Sequence, residues 1–196
     1  MLAARSLCLE RGGRALFQDL SFDIYAGQLW QIEGANGAGK TSLLRILCGL
    51  SRYGFGGQVL RYVPLLYLGH QSAVKALLTP RENLTYHVSG EGRYQNEQIE
   101  SALARVGLYG YEDVASHTLS AGQHRRVNLA RLLLSDSALW LLDEPFTAID
   151  TAGVSDLQVV LASHVEAGGA VVMTSHQTLE VCCEVRSLNL SAGMSV

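Results

Sequence analysis

The residues Gly34-Ala35-Asn36-Gly37-Ala38-Gly39-Lys40-Thr41 constrain this chain more than any other stretch. They match G-x-x-x-x-G-K-[ST] at every fixed position. Glycines there let the backbone turn tightly enough for successive N–H groups to converge on one phosphate chain. Lys40 can reach β- and γ-phosphates, Thr41 can hold Mg²⁺, and Ser42 completes the candidate binding set. The motif needs a strand before it and a helix after it, because the helix N-terminus also favours the anion. Leu29-Trp30-Gln31-Ile32-Glu33 reads as that strand. Lys40 to Leu50, with Leu43, Leu44, Ile46 and Leu47, reads as a buried helix ending at Gly49. This context points to a nucleoside triphosphatase and leaves its kind open. Gln31 and Glu33 are out of place in a strand buried on both faces.

The rest of the chain supplies an α/β frame. Apolar residues alternate near Leu7 and Leu9, and again at Leu20, Phe22 and Ile24, around a turn at Arg11-Gly12-Gly13-Arg14. Gly54, Gly56 and Gly57 loosen the next stretch, and Val63 to Leu68 resumes an apolar strand. From about Ser72 to Leu134 the pattern turns helical, with Pro80 before Glu82, a polar run from Gly90 to Glu97, and Ile99, Leu103 and Val106 at helical spacing. Leu139 to Leu142 and Ala170 to Thr174 are continuous apolar runs of the kind found in parallel sheets, with a helical Thr151 to Ala167 between them.

Chemistry-bearing residues follow these runs. Leu139-Trp140-Leu141-Leu142-Asp143-Glu144 is a strand ending in two carboxylates. In P-loop enzymes a carboxylate at that place orients Mg²⁺, here Asp143. Glu144 is then placed to polarise the attacking water. Leu119-Ser120-Ala121-Gly122-Gln123 has a plain structural meaning, since Ser120 with Gln123 forms a helix-starting capping box. Val127, Ala130 and Leu134 would then form the new helix's apolar face.

The order of these elements resembles the ATP-binding cassette (ABC) ATPases along essentially the whole chain. Their signature L-S-G-G-Q differs here only at Ala121. The resemblance implies a P-loop fold with a central, mostly parallel sheet, an N-terminal antiparallel β part and a helical subdomain at about 72–134. It implies one ABC ATPase domain over 1–196. It further implies that Ser120, Gly122 and Gln123 meet ATP held by the P-loop of a second copy, so that ATP drives homodimerisation. Ala148-Ile149-Asp150 resembles the dimer-crossing D-loop, and His176 resembles the switch histidine that joins Lys40 and Glu144 in catalysis. His87, His117, His124 and His164 carry no such role.

Two departures from the family pattern stand out. The Mg²⁺-ligating Gln before the insert falls on His70, with Gln71 beside it, so either or neither serves. Arg11 stands where an aromatic would stack on adenine, and it stacks through its guanidinium plane unless Phe17 substitutes.

Tyr67-Leu68-Gly69-His70, Ser120-Ala121-Gly122-Gln123 with Arg125-Arg126-Val127, Phe146 to Asp150, and Thr174-Ser175-His176-Gln177 resemble the haem-exporter ATPases of cytochrome c maturation. That branch implies integral membrane partners of CcmB and CcmC type and a peripheral place on the cytoplasmic face of the inner membrane. Other small ABC transporters share the same catalytic residues and stay open as alternatives, followed by soluble ABC ATPases. A net charge of -3 without a basic tract gives no reason to bind nucleic acid. No stretch supplies the ~20 apolar residues of a spanning helix, and the N-terminus lacks a signal-peptide pattern, so the chain is expected to be soluble by itself. Cys8, Cys48, Cys182 and Cys183 lack metal-site spacing and are expected to be buried or idle thiols.

Overall fold

A computed structural model describes residues 1–86, 94–177 and 179–190. His87 and the first half of the polar run from Gly90 lie outside the described residues. The chain divides into two compact units, one of Met1–Tyr67, Ser137–Pro145 and Leu161–Val196, the other of Leu68–Asp136 and Phe146–Val160.

The first unit opens with β1 (Leu2–Arg11) and β2 (Arg14–Ile24), an antiparallel hairpin in which Arg11 pairs Arg14 across Gly12-Gly13. Both turn glycines have positive φ, 58° and 74°, as the two-residue turn that matches strand twist requires. β3 (Leu29–Glu33) runs into the glycine loop, and α1 (Lys40–Leu47) follows. Leu43, Leu44, Ile46 and Leu47 are buried. Each such side chain contributes about 1.5–3 kcal/mol by leaving water. Cys48 and Gly49 close the helix, Gly49 at φ 83°. Arg61 donates to its last carbonyls, from Nε to Leu47 O at 2.6 Å and from Nη2 to Ile46 O at 2.7 Å. A cation there offsets the negative helix end.

The stretch expected to be loosened by glycines is instead a strand, β4 (Phe55–Arg61), pairing antiparallel with β1. β1 shifts register between Arg5 and Cys8, and Ser6 sits at φ 45°. At that bulge the two backbones come so close that a Cβ on Gly57 would collide with the Arg5 and Ser6 carbonyl oxygens. These glycines permit close pairing. β5 (Leu65–Leu68), β6 (Leu139–Asp143), β7 (Ala170–Thr174) and β8 (Val185–Asn189) complete the strands among the described residues. The second sheet has the order β5-β6-β7-β3-β8, with β6, β7, β3 and β8 parallel where they pair. β8 was not foreseen in the sequence, because Val185-Arg186-Ser187-Leu188-Asn189 is mostly polar and only Leu188 is buried. It is an edge strand, and Arg186 lies 5.8 Å over the Trp30 ring.

In the second unit, α2 (Pro80–Thr85) starts with Thr79 and Glu82 bonding reciprocally, and Pro80 at the start supplies a preset φ. α3 (Asn96–Arg105) and α4 (Ala121–Leu134) pack around Leu84, Ile99, Leu103, Val127, Ala130 and Leu134. α5 (Thr151–Glu166) begins in this unit and ends in the first. No described helix is long and apolar enough to cross a membrane. All four cysteines are free, and Cys8 and Cys182 are exposed rather than buried.

His164 is a half-buried structural residue. Its ring stacks on Trp140 at 3.7 Å between centroids and 4° between planes. Burial pushes its titration below the ordinary histidine range, with backbone contacts to Ala138 and Ala170 opposing. The unfolded chain takes up this proton near pH ~6.5, whereas the folded ring resists it. The stability His164 contributes is therefore present above about pH 6.5 and lost as pH falls below it. His164→Phe should lose less melting temperature than the wild type between pH ~7 and ~5.5. Equal losses in the two proteins would disprove the assignment.

Candidate functional site

The glycine loop leaves β3 with Gly34 and returns as the start of α1, with Gly37 and Gly39 at φ 82° and 103°. Gly39 packs so closely on β2 that an added Cβ would lie 3.2 Å from Leu16 Cβ. Ala35, Asn36 and Gly37 are exposed, so the loop's amides border solvent. Lys40 is 9% exposed, and its ammonium donates to Gly34 O at 2.6 Å and Ala35 O at 3.4 Å. The loop's own carbonyls thus hold the charge.

At the ends of β6 and β7 the expected metal and base residues meet α1. Asp143 is 1% exposed, and its Oδ1 accepts from Thr41 Oγ1 at 3.1 Å. A hydroxyl and a carboxylate oxygen so placed form a hard-oxygen donor set that suits Mg²⁺. Tyr67 senses this carboxylate: its phenol is pushed up to about 12, by burial first and by Asp143 next. Glu144 follows in the left-handed region at φ 49°. Its Oε1 stands 3.6 Å from His176 Nε2, and His176 is 58% exposed. The first unit thus gathers Lys40, Thr41, Asp143, Glu144 and His176, which lie far apart in sequence.

Gln31 and Glu33 now have an explanation. Gln31 Nε2 donates to Ser175 O at 3.3 Å and Gln177 O at 3.4 Å, which tethers the segment carrying His176. Glu33 Oε1 accepts from Ser187 Oγ at 2.8 Å. These side chains line a cleft of about 420 Å³ with Gly34, Ser175 and His176. Phe17, by contrast, is only 5% exposed and belongs to the core, so it offers no face to a base. Arg11 is exposed at the hairpin end.

In the second unit Ser120 caps α4. Gln123 N donates to Ser120 Oγ at 3.2 Å, and Ser120 N donates to Gln123 Oε1 at 2.9 Å. Gly122 lies close against the D-loop-like segment, since an added Cβ would come 3.0 Å from Ala148 O. The capping segment and Ala148-Ile149-Asp150 therefore form one surface. Arg126 Nη2 reinforces it, donating to both Asp150 carboxylate oxygens at 2.9 and 3.0 Å. The Gly153 amide and this guanidinium hold the Asp150 carboxyl below the usual range. His70 and Gln71 are exposed in a bend, while Arg125 Nη1 donates to Gly69 O at 3.0 Å and His70 O at 3.5 Å. His124 contacts Ser116 O at 2.5 Å, and His117 is exposed.

Sequence reasoning missed Thr174. Its Oγ1 donates to Asp143 Oδ1 at 2.8 Å and accepts from Glu144 N at 2.8 Å. The available signal was a polar residue closing an otherwise apolar run, at the register position opposite Asp143.

Residues 17–147 match the ABC transporter family. The chain is 48% identical to the cytochrome c biogenesis ATP-binding export protein CcmA of Methylococcus capsulatus, over 97% of this chain and 98% of that one. It is 50% identical to the CcmA of Pseudomonas putida, over 91% and 90%. With the CcmA of Salmonella typhi the identity is 49%, over 98% of each. Among solved structures, a dimeric post-hydrolysis ATP-binding cassette bound to ADP and phosphate superposes with a TM-score of 0.78 at 22% identity, over 90% of this chain and 88% of that one. An ATP-binding subunit of an ABC transporter does so at 0.77 and 21%, over 90% and 79%.

Proposed function

Since this chain belongs to the ABC transporter family and is one of its ATP-hydrolysing subunits, we propose that it powers the haem-export step of cytochrome c biogenesis. The carrying observation is identity of 47–50% to CcmA proteins over nearly the whole chain. Ala121 in the signature and His70 after β5 agree with that branch.

In the proposed mechanism the amides of Gly34 to Lys40 and the residues Thr41 and Ser42 cradle the triphosphate. Lys40 exchanges its loop carbonyls for β- and γ-phosphate oxygens. Thr41 and Asp143 would hold Mg²⁺, which neutralises phosphate charge when bound; His70 or Gln71 is the further candidate ligand. Glu144 accepts a proton from the attacking water, and His176 touches the γ-phosphate. Ser120, Gly122 and Gln123 of a second copy close over the same γ-phosphate, where a helix N-terminus favours the anion. ATP therefore favours the dimer and hydrolysis releases it. The chain acts as one ABC ATPase domain with a helical subdomain at about 72–134. It docks on integral membrane subunits of CcmB and CcmC type, peripherally, at the cytoplasmic face of the inner membrane. Nucleic acid is no partner.

Pull-down of the tagged chain from membranes tests this. Integral membrane proteins of that export system should come down with it, with haem in the complex. Recovery of nucleic acid or ribosomes without a membrane protein would refute the assignment.

A further inference from the structure

Thr174 closes β7 directly opposite Asp143 in the parallel register. It has no exposed surface. A hydroxyl carries one proton and two lone pairs, and here both functions are used. The proton goes to Asp143 Oδ1 at 2.8 Å, and a lone pair receives the Glu144 N–H at 2.8 Å. Asp143 Oδ1 thus collects hydroxyl donors from two elements, Thr174 on β7 and Thr41 on α1. Glu144 occupies the left-handed region at φ 49°. A non-glycine residue stays there only when its surroundings hold it. The bond from its own amide to Thr174 is such a restraint.

We infer that Thr174 is a positioning residue, one hydroxyl that orients the metal carboxylate and holds the turn aiming the general base. The inference rests on the roles proposed above for Asp143 and Glu144. Valine at this place preserves the β-branched shape but removes the hydroxyl, so Asp143 loses a donor and the Glu144 amide loses its acceptor. The methyl packing is untouched.

The test uses the full-length chain. Thr174→Val should lower kcat about tenfold to a hundredfold, in the range lost when a reacting group is slightly misplaced. It should also raise the Mg²⁺ concentration needed for half-maximal ATP binding, while ATP binding in EDTA stays unchanged. Hydrogen exchange at the Glu144 amide should accelerate at least about tenfold once its acceptor is gone. Thr174→Ser, which keeps the hydroxyl, should recover most of the lost rate and the slow exchange. If Thr174→Val fails to fold, the Ser and Ala variants make the same comparison, since they differ only in the hydroxyl. Equal defects in Ser and Ala, or a wild-type Mg²⁺ midpoint and exchange rate in Val, would overturn the inference. Asp143→Asn and Glu144→Gln run alongside. Loss of turnover in both, with full turnover in Thr174→Val, removes this inference alone. Wild-type turnover in both removes the proposed site, and this inference with it.

Discussion

Glu144→Gln should reduce ATP hydrolysis about 10²–10⁴-fold, the contribution typical of a general base, while ATP affinity is retained. Gln matches Glu in shape but cannot accept the proton of the attacking water. It keeps the backbone amide that donates to Thr174 Oγ1, so the local turn survives and the chemistry alone is removed. The Asp143–Thr41 pair and the Lys40 ammonium are untouched. A triphosphate shared between two copies and no longer cleaved should trap them together. Size-exclusion chromatography with light scattering should then show twice the monomer mass in ATP and monomer in ADP. Near-normal phosphate release from this variant would assign the base elsewhere, and absence of an ATP-dependent dimer would count against the shared site.

Gly57→Ala should cost about 3 kcal/mol or more, through left-handed strain and forced separation of packed backbones. The position has φ 88°, and its missing Cβ would meet the carbonyl oxygens of Arg5 and Ser6, which cannot rotate away as a side chain could. For a chain of this size that corresponds to a melting temperature lower by about 6–12 °C. Gly54→Ala is the control, since Gly54 has φ 81° but nothing within 4 Å of the added atom. It carries the conformational strain without the collision. Equal melting temperatures for the two variants would show that the close approach of β4 to β1 contributes nothing.

The elements of the candidate site were readable because each is local. A glycine loop between strand and helix, an apolar strand closed by Asp143-Glu144, and a capping box at Ser120 all announce themselves within about ten residues, by periodicity and turn chemistry. β3 and β7 have the bounds their apolar runs suggest, Leu29–Glu33 and Ala170–Thr174. β4 and β8 were not readable, for a shared reason. One is rich in glycine and the other mostly polar, and both owe their extended form to a neighbouring strand's hydrogen bonds. Gln31 likewise reads as misplaced in the sequence, because its partners, the carbonyls of Ser175 and Gln177, lie on a distant segment.

By itself the sequence determined the kind of chemistry: a phosphate loop, two carboxylates at a strand end, a helix start and a histidine, in ABC order. Only the tertiary structure decided which of these share a site, and through what. It set Asp143 Oδ1 between Thr41 and Thr174, and Glu144 3.6 Å from His176. It also buried Phe17 and laid Gly122 against Ala148. The physical reason is range. Backbone propensity and turn chemistry act over a few neighbours and leave their mark on the local sequence. A hydrogen bond between strand ends depends on sheet register, which residues distributed along the whole chain establish together.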